Sequence, residues 1–364
     1  MAATTGYQLR AYDAAARAAG VELVLATDRC HVLDDPWRDG AIPVRFKGRT
    51  AAANAVRAVR AAAEQRPLDG VLAVGDGPAV IAAAVAAALG LRGHPAAAAR
   101  AAANKLLTRR SLQAHGLPVP WFRALPAVDP LPPEWLAATA LPCVVKPLSM
   151  AASQGVIRAD TPAELSAAVE RVRRLSVRTD ARAARDKPVQ VLVEGYIPGR
   201  EVAVEGVLAG GRLQVLAIFD KPDPLDGPYF EETIYVTPPA EGRVIGPAEG
   251  GTTTTAVQRA VAALGLTDGP VHAECRVNAE GVFVLEAAAR PIGGLCSRVL
   301  RFDGAAGRGV SLEALLLRHA LGEDVSGWRR ERRAAGVLMI PIPAAGRLSR
   351  VEGLAAARSV DGVE

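Results

Sequence analysis

Glu274 and Glu286 are the residues of this chain that most need a chemical explanation. His272-Ala273-Glu274 lies on an apolar strand over Val271 to Val277, and Leu285-Glu286 ends a second strand over Gly281 to Glu286 after a tight turn. Alternate residues of a strand face the same way, so pairing these strands brings the two carboxylates close together. Two unpaired carboxylates in so apolar a setting are costly to bury. A divalent cation removes the conflict, and magnesium with ATP phosphates is the usual partner of one or two carboxylates. Arg290, just beyond Glu286, suits a bidentate grip on a substrate carboxylate or on an anionic acyl-phosphate. The plainer alternative is a hairpin carrying a surface salt bridge.

Two lysines supply the opposite charge. Lys105 opens a helix after Asn104, and Lys146 closes the apolar strand Cys143-Val144-Val145-Lys146 before Pro147. A lysine at a strand end, beside a loop of small residues, can hold a phosphate as a point charge. The loop Ser149-Met150-Ala151-Ala152-Ser153-Gln154-Gly155 can fold backbone N–H groups and hydroxyls over phosphate oxygens, although it lacks the G-x-x-x-x-G-K-[ST] pattern. A further segment, Val191-Leu192-Val193-Glu194-Gly195-Tyr196-Ile197-Pro198-Gly199-Arg200-Glu201, runs from an apolar strand into a short linker with a carboxylate at each end. Backbone around Gly195 and Ile197 can read an adenine edge, and Glu201 can bond ribose hydroxyls; the bland reading of Glu201 is an exposed strand residue.

The elements that must position these groups form an α/β chain. The first hundred residues alternate helix and strand signals: a helix over Ala11 to Ala19, a strand over Val21 to Ala26, a helix over Ala51 to Gln65, a strand over Gly70 to Val74, and a helix over Ala79 to Leu89. Such alternation predicts a parallel sheet with covered faces. Asp76, in the turn Gly75-Asp76-Gly77-Pro78, reads as a helix N-cap or turn residue, with a substrate contact as the alternative. Beyond Asn104 the sequence predicts strands at Val189 to Glu194, Glu201 to Leu208 and Leu213 to Phe219, a polar surface loop over Thr179 to Lys187, and a helix capped by the hydroxyls of Thr252 to Thr255. Val337 to Glu364 reads as short strands around Ala344-Ala345-Gly346.

Composition narrows the classes. The chain has 364 residues, half of them hydrophobic but only 4% aromatic, which suits two or three packed domains of helices on sheets. Its formal charge of +5 comes from mixed signs; the basic runs Arg171-Val172-Arg173-Arg174 and Arg329-Arg330-Glu331-Arg332-Arg333 read as solvated helix faces, and no nucleic-acid partner is expected. The four cysteines have no Cys-x-x-Cys spacing, so neither a zinc site nor a disulfide framework is expected. No apolar run reaches the roughly 20 residues of a membrane span, and the opening residues do not form a secretory signal. A reducing cytoplasm is the expected location. No G-x-G-x-x-G follows the early strands, which sets aside a doubly wound dehydrogenase.

Taken in order, Lys105, then Val145-Lys146-Pro147 with its loop, then Glu194 to Glu201, then Glu274 and Glu286 to Arg290 with Gly293-Gly294, resemble the ATP-grasp superfamily, and most closely the bacterial L-amino-acid ligases. The resemblance covers roughly residues 1 to 340 and implies a doubly wound N-terminal domain at 1–98 and an ATP-grasp domain at 99–328. Within the latter it implies a lid subdomain at about 142–200, and it implies the start of a C-terminal β-rich region, shortened relative to the family, at 329–364. It implies that Lys105 and Lys146 bind the α- and β-phosphates of ATP, that Ser149, Ser153 and Gly155 belong to a lid loop, and that Gly195 and Ile197 meet the adenine. It places Glu194 and Glu201 on the nucleoside, magnesium (or manganese) on Glu274 and Glu286, and Arg290 beside the reacting carboxylate. Lys221 falls where such ligases place another phosphate-facing lysine. The implied activity joins a small-molecule carboxylate to an amine through an acyl-phosphate, with ADP and phosphate released, in a chain that could pair as a homodimer. A bicarbonate-activating enzyme and a non-catalytic ATP-binding module are the alternatives. Two departures stand out: Ala288 replaces the asparagine usual after the second metal glutamate, which bears on a second magnesium, and Ala151-Ala152 replaces glycines, which should stiffen the lid loop.

Overall fold

The computed structural model describes residues 1–3, 8–28, 40–126, 131–179, 190–240, 253–305, 307–341 and 346–363. The N-terminal part carries α1 (Leu9–Ala18), β1 (Ala26–Thr27), β2 (Ile42–Pro43), α2 (Ala51–Gln65), α3 (Asp76–Leu89), α4 (Ala96–Ala102) and α5 (Lys105–Ala114). The alternation is as the sequence indicates, but the sheet is thin. Val21–Ala26 shrinks to the two residues of β1, which pair in parallel with β2, and of Gly70–Val74 only Val74 forms a bridge, parallel to Ala2. Strand propensity needs a lateral neighbour to be realised. Val21, Leu23, Val24, Val71 and Leu72 instead line an apolar cavity of about 400 Å³.

A small antiparallel sheet follows. Its elements are β3 (Phe122–Pro126), α6 (Pro133–Ala138), β4 (Cys143–Pro147), β5 (Ile157–Ala159), α7 (Pro162–Thr179) and β6 (Gln190–Gly195), with strand order β3-β6-β4-β5. Leu165, Val169 and Val172 repeat at helical spacing along α7 and pack on Val145, Val191 and Val193 of the sheet. Each such side chain contributes roughly 1.5–3 kcal/mol of burial. The sheet takes in β3, so this unit begins before residue 142. Most of the polar segment after Thr179, residues 180–187, lies outside the described residues, as does Thr252.

The large sheet carries β7 (Arg200–Ala209), β8 (Arg212–Asp220), β9 (Ile234–Thr237), α8 (Thr253–Leu264), β10 (Gly269–Asn278) and β11 (Gly281–Ala288). After it come β12 (Arg301–Gly304), β13 (Gly307–Ser311), α9 (Leu312–Ala320), β14 (Arg329–Arg330), β15 (Ala335–Leu338) and α10 (Leu354–Arg358). Its order is β11-β10-β7-β8-β9-β15, and β13-β12-β14 form a separate three-stranded sheet. Val202, Val204, Val271, Ala273 and Cys275 pack against Val257, Val261 and Leu264 of α8 on one face. The other face packs Ala203, Val207 and Phe219 on Ile292, Leu300 and the leucines of α9.

Two expectations are corrected. Arg329 and Arg330 form β14, paired with β12, rather than a helix face: Trp328, 6% exposed, packs in the core with Phe302 and holds the chain extended beside it. The expected strands near the end of the chain give way to α10, which buries no residue, while β15 joins the large sheet through β9. Residues 342–345 lie outside the described set, and so does the turn expected at Ala344-Ala345. No described helix is long and apolar enough to cross a membrane.

Two buried histidines sit where the N-terminal part meets the large sheet. His94 Nε2 lies 3.0 Å from the Pro270 carbonyl, and the His319 carbonyl accepts from Arg92. Burial lowers both imidazoles, and burial together with Arg92 takes His319 down to about 4. The unfolded chain therefore binds protons that the folded chain refuses as pH falls below about 6.5. Stability should drop steadily from pH 6.5 to 4, and His319→Gln should flatten that slope, as read by urea unfolding at several pH values.

Candidate active site

A cavity of about 620 Å³ opens between the three parts and is lined by residues from each. That volume suits a nucleotide with a small second substrate. Its roof is the small sheet. Lys146 projects from β4, and its Nζ lies 2.5 Å from Glu194 Oε1 on the neighbouring β6. Arg109 of α5 closes on the same carboxylate with Nε–Oε2 at 2.8 Å and Nη2–Oε1 at 3.0 Å, and its Nη1 donates to the carbonyls of Val284 and Leu285. Burial pushes the Glu194 carboxyl up, but Arg109 and Lys146 outweigh it and hold it at about 2. Burial lowers the Lys146 ammonium, only partly offset by Glu194. Glu194, expected at the nucleoside, is thus the anchor for Lys146, and Arg109 is a residue the sequence reading missed. A lone arginine in a basic helix carries no signal of its distant partner.

The loop over Ser149 to Gly155 hangs from Lys105. Its backbone N–H donates to the Leu148 carbonyl, its Nζ donates to the Met150 carbonyl at 2.6 Å, and the same Nζ lies 3.3 Å from Glu286. Ala152 and Ser153 take positive φ of 55° and 51°. For residues with a Cβ this costs roughly 1–2 kcal/mol each, so the alanine departure leaves strain as well as stiffness in the loop. Gly155 takes φ 73°, and a Cβ there would also crowd Leu175 Cδ2 at 3.0 Å and Pro147 Cδ at 3.2 Å, so glycine suits the position. Ser149, Ser153, Gly195 and Ile197 all line or border the cavity, and the Ile197 carbonyl accepts from Arg276 at 2.7 Å.

On the floor, Glu274 of β10 and Glu286 of β11 are direct cross-strand partners. Plain alternation along β11 would not achieve this. Val282 and Val284 face the α8 core, so Glu286 two residues on would face it too. A β-bulge, the register shift between Glu274 and Cys275, leaves Leu285 as an extra residue, turns Glu286 into the cavity and returns Ala287 to the core.

Lys221, just after β8, sits 2.8 Å from Glu201, 2.8 Å from Glu232 and 3.0 Å from Glu274. Burial would lower its ammonium, but these carboxylates raise it well above the usual range. Burial likewise raises Glu274, and Lys221 with His272 pulls it far below. Glu201, Glu232 and Glu274 offer oxygens within 4.8 Å of one another, the geometry of a cation site with the lysine as its cation. Glu201 also receives Arg276 Nε at 3.2 Å, so it is engaged by two cations rather than free for a ribose. Glu232 has no site role in the sequence pattern, because nothing along the chain ties it to the lysine that follows β8.

Arg290 is held by Asp76, with Nε–Oδ1 at 2.7 Å. Asp76 does not cap α3, whose N-cap is Gly75 with φ 92°; its carboxylate reaches across to the site instead. His272, between Glu205 and Glu274, is also newly brought in: burial lowers its imidazole, and the two glutamates outweigh that and raise it to about 9. Every residue singled out from the sequence therefore lies in or beside one cavity. Glu274, Glu286, Lys105, Lys146, Arg290, Glu194 and Glu201 all line it, each in an ion pair, and Lys221 pairs with Glu201 and Glu274 in its wall.

Comparison with known proteins follows the same outline. Residues 139–299 match a family model described as ATP-grasp domain, and residues 12–93 match one described as ATP-grasp N-terminal domain. A D-alanine–D-alanine ligase of Gloeobacter violaceus is 31% identical over 233 residues, covering 62% of this chain and 70% of the relative. Among solved structures, an L-amino acid ligase from Bacillus licheniformis superposes with a TM-score of 0.75 at 26% identity, covering 98% of this chain and 83% of that one. A carboxyaminoimidazole ribonucleotide synthase from Aspergillus clavatus, solved in complex with ATP, gives 0.66 at 18% identity over 93% of this chain and 80% of its own, a likeness of fold alone.

The buried pair in the roof makes a direct test. Removing one partner of a buried ion pair typically costs about 3–5 kcal/mol. Arg109→Ala should lower the unfolding free energy by about that much in urea titrations at neutral pH.

Proposed function

Because this chain belongs to the ATP-grasp family, we propose that it is an ADP-forming carboxylate–amine ligase that activates an amino acid as an acyl-phosphate. The observation that carries this reading is the meeting, in one cavity, of two facing carboxylates, two lysines from different layers and an arginine. Lys105 and Lys146 are the candidates for the nucleotide's α- and β-phosphates. Ser149, Ser153 and Gly155 would cover them with hydroxyls and backbone N–H groups, and the backbone of Gly195 and Ile197 would meet the adenine. In this reading Glu194 acts through Lys146, and Glu201 and Lys221 act by setting the charge around Glu274.

Glu274 and Glu286 fit a hard divalent ion: their donors are oxygens, both side chains are partly exposed on the cavity wall, and each already attracts a lysine. Magnesium, or manganese on the same donors, would offset the charge of the β- and γ-phosphates there. The carboxylate oxygen of the first substrate attacks the γ-phosphorus of ATP, the bond to the β-phosphate oxygen breaks, and ADP leaves. The amine nitrogen of the second substrate then attacks the acyl carbon, and inorganic phosphate departs with the bonding electrons as the nitrogen loses its proton. Arg290 is placed to steady the anionic acyl-phosphate, once its contact with Asp76 yields to the substrate. The likeness to an L-amino acid ligase and a D-alanine–D-alanine ligase supports amino acids on both sides of the bond.

A phosphate-release screen over amino acids and small carboxylates, with mass spectrometry of the product, tests the proposal. ADP, phosphate and an amide product are expected, and Glu286→Ala should lose at least about 100-fold in turnover. AMP with pyrophosphate would overturn the acyl-phosphate route. ADP release that needs bicarbonate and no amino acid would move the chain to the carboxylase reading, and nucleotide binding without turnover on any mixture would make it a binding module.

A further inference from the structure

Glu205 is completely buried on β7, directly opposite His272 on β10. Its Oε2 accepts a hydrogen bond from the Ile292 N–H at 3.0 Å and lies 3.5 Å from His272 Nδ1. The other ring nitrogen, Nε2, lies 3.7 Å from Glu274 Oε1. Glu205 Oε1 has no hydrogen-bond partner. A buried carboxylate with an orphan oxygen is costly, and an apolar residue of the same size would pack without that penalty. His272 Nδ1 likewise has no hydrogen-bond partner, so the carboxylate and the imidazole face each other across 3.5 Å without a hydrogen bond between them; apolar packing alone does not account for burying two such groups side by side.

The contacts continue past the carboxylate. The Ile292 carbonyl accepts from Gln8 Nε2 at 2.9 Å, just ahead of α1, and Gln8 is itself buried. Arg290, two residues earlier on the same loop, pairs with Asp76. One line of contacts thus runs from the N-terminal part through the loop at 290–292 to Glu205, His272 and Glu274.

We propose that His272 and Glu205 are positioning residues that hold Glu274 in its cation-binding orientation and tie that orientation to the loop carrying Arg290. This rests on the reading of Glu274 and Glu286 as the cation seat. Glu274 has two claims on it: Lys221 draws it toward the carboxylate cage, and the imidazole keeps it beside the cavity. Without the ring, the lysine wins and the seat loses a ligand. Partners that orient metal ligands typically account for 10–100-fold in metal affinity.

The test is Mn²⁺ binding in the presence of ADP, followed by electron paramagnetic resonance, beside ADP binding in excess chelator. His272→Leu should weaken Mn²⁺ binding about 10–100-fold while metal-free ADP binding stays within about twofold. His272→Gln, which restores a donor, should recover part of the loss. Glu205→Gln, which keeps an acceptor for Ile292 but not the charge, should also weaken Mn²⁺. His94→Gln, another buried histidine away from the cavity, should lower the melting temperature and leave Mn²⁺ affinity alone. Wild-type Mn²⁺ affinity in His272→Leu, or an equal loss of metal-free ADP binding, would overturn the proposal. Failure of the wild-type protein to bind Mn²⁺ with ADP would remove the cation seat itself, and the proposal with it.

Discussion

Glu274 and Glu286 face each other across adjacent strands, and like charges placed directly opposite destabilise a sheet unless each finds a cation. The site is organised around relieving that repulsion. Lys105 reaches Glu286 from α5, Lys221 reaches Glu274 from the end of β8, and His272 stands on the other side of Glu274. Each cation is in turn shared: Lys105 with the lid-loop carbonyl, Lys221 with Glu201 and Glu232. The floor is therefore a lattice of shared charges in which each of the two glutamates already has a lysine.

The same principle joins the layers. The roof and the floor meet through Arg109, which binds Glu194 of the small sheet with one edge and two carbonyls of β11 with another. The N-terminal part meets the floor through Asp76 and Gln8. Buried charge is satisfied only by a partner held in register, so these contacts fix how the parts sit around the cavity more tightly than apolar packing alone would. The strained turn at Ala152 and Ser153 lines the cavity, and Lys105 anchors its loop through the Met150 carbonyl.

Much of this was legible along the chain. Periodicity marked α2, α3 and the strands β4, β6, β7, β8, β10 and β11, and the order of lysines and glutamates pointed to a nucleotide and a cation. What failed did so for physical reasons. At Val21–Leu25 and Gly70–Ala73 the lateral bonds are few, Ile42 N–H to the Leu25 carbonyl and the Met1 amino group to the Leu72 carbonyl, and no regular ladder forms there; the basic run at Arg329–Arg330 was carried into a strand by the burial of Trp328.

Residue types and their spacing determined that carboxylates, lysines and an arginine would be available on strand ends and loops, because those positions follow from local pattern. Only the tertiary structure decided which charge meets which. Arg109 with Glu194, Asp76 with Arg290, Lys221 with three glutamates and Glu205 with His272 are all contacts between residues distant in sequence. The facing of Glu286 toward the cavity rests on one bulged residue, Leu285, and the pattern of Val282 and Val284 by itself points that side chain into the core. Local propensity sets what a segment can be; the energy of pairing buried charge, which depends on distance through space, sets where it ends up.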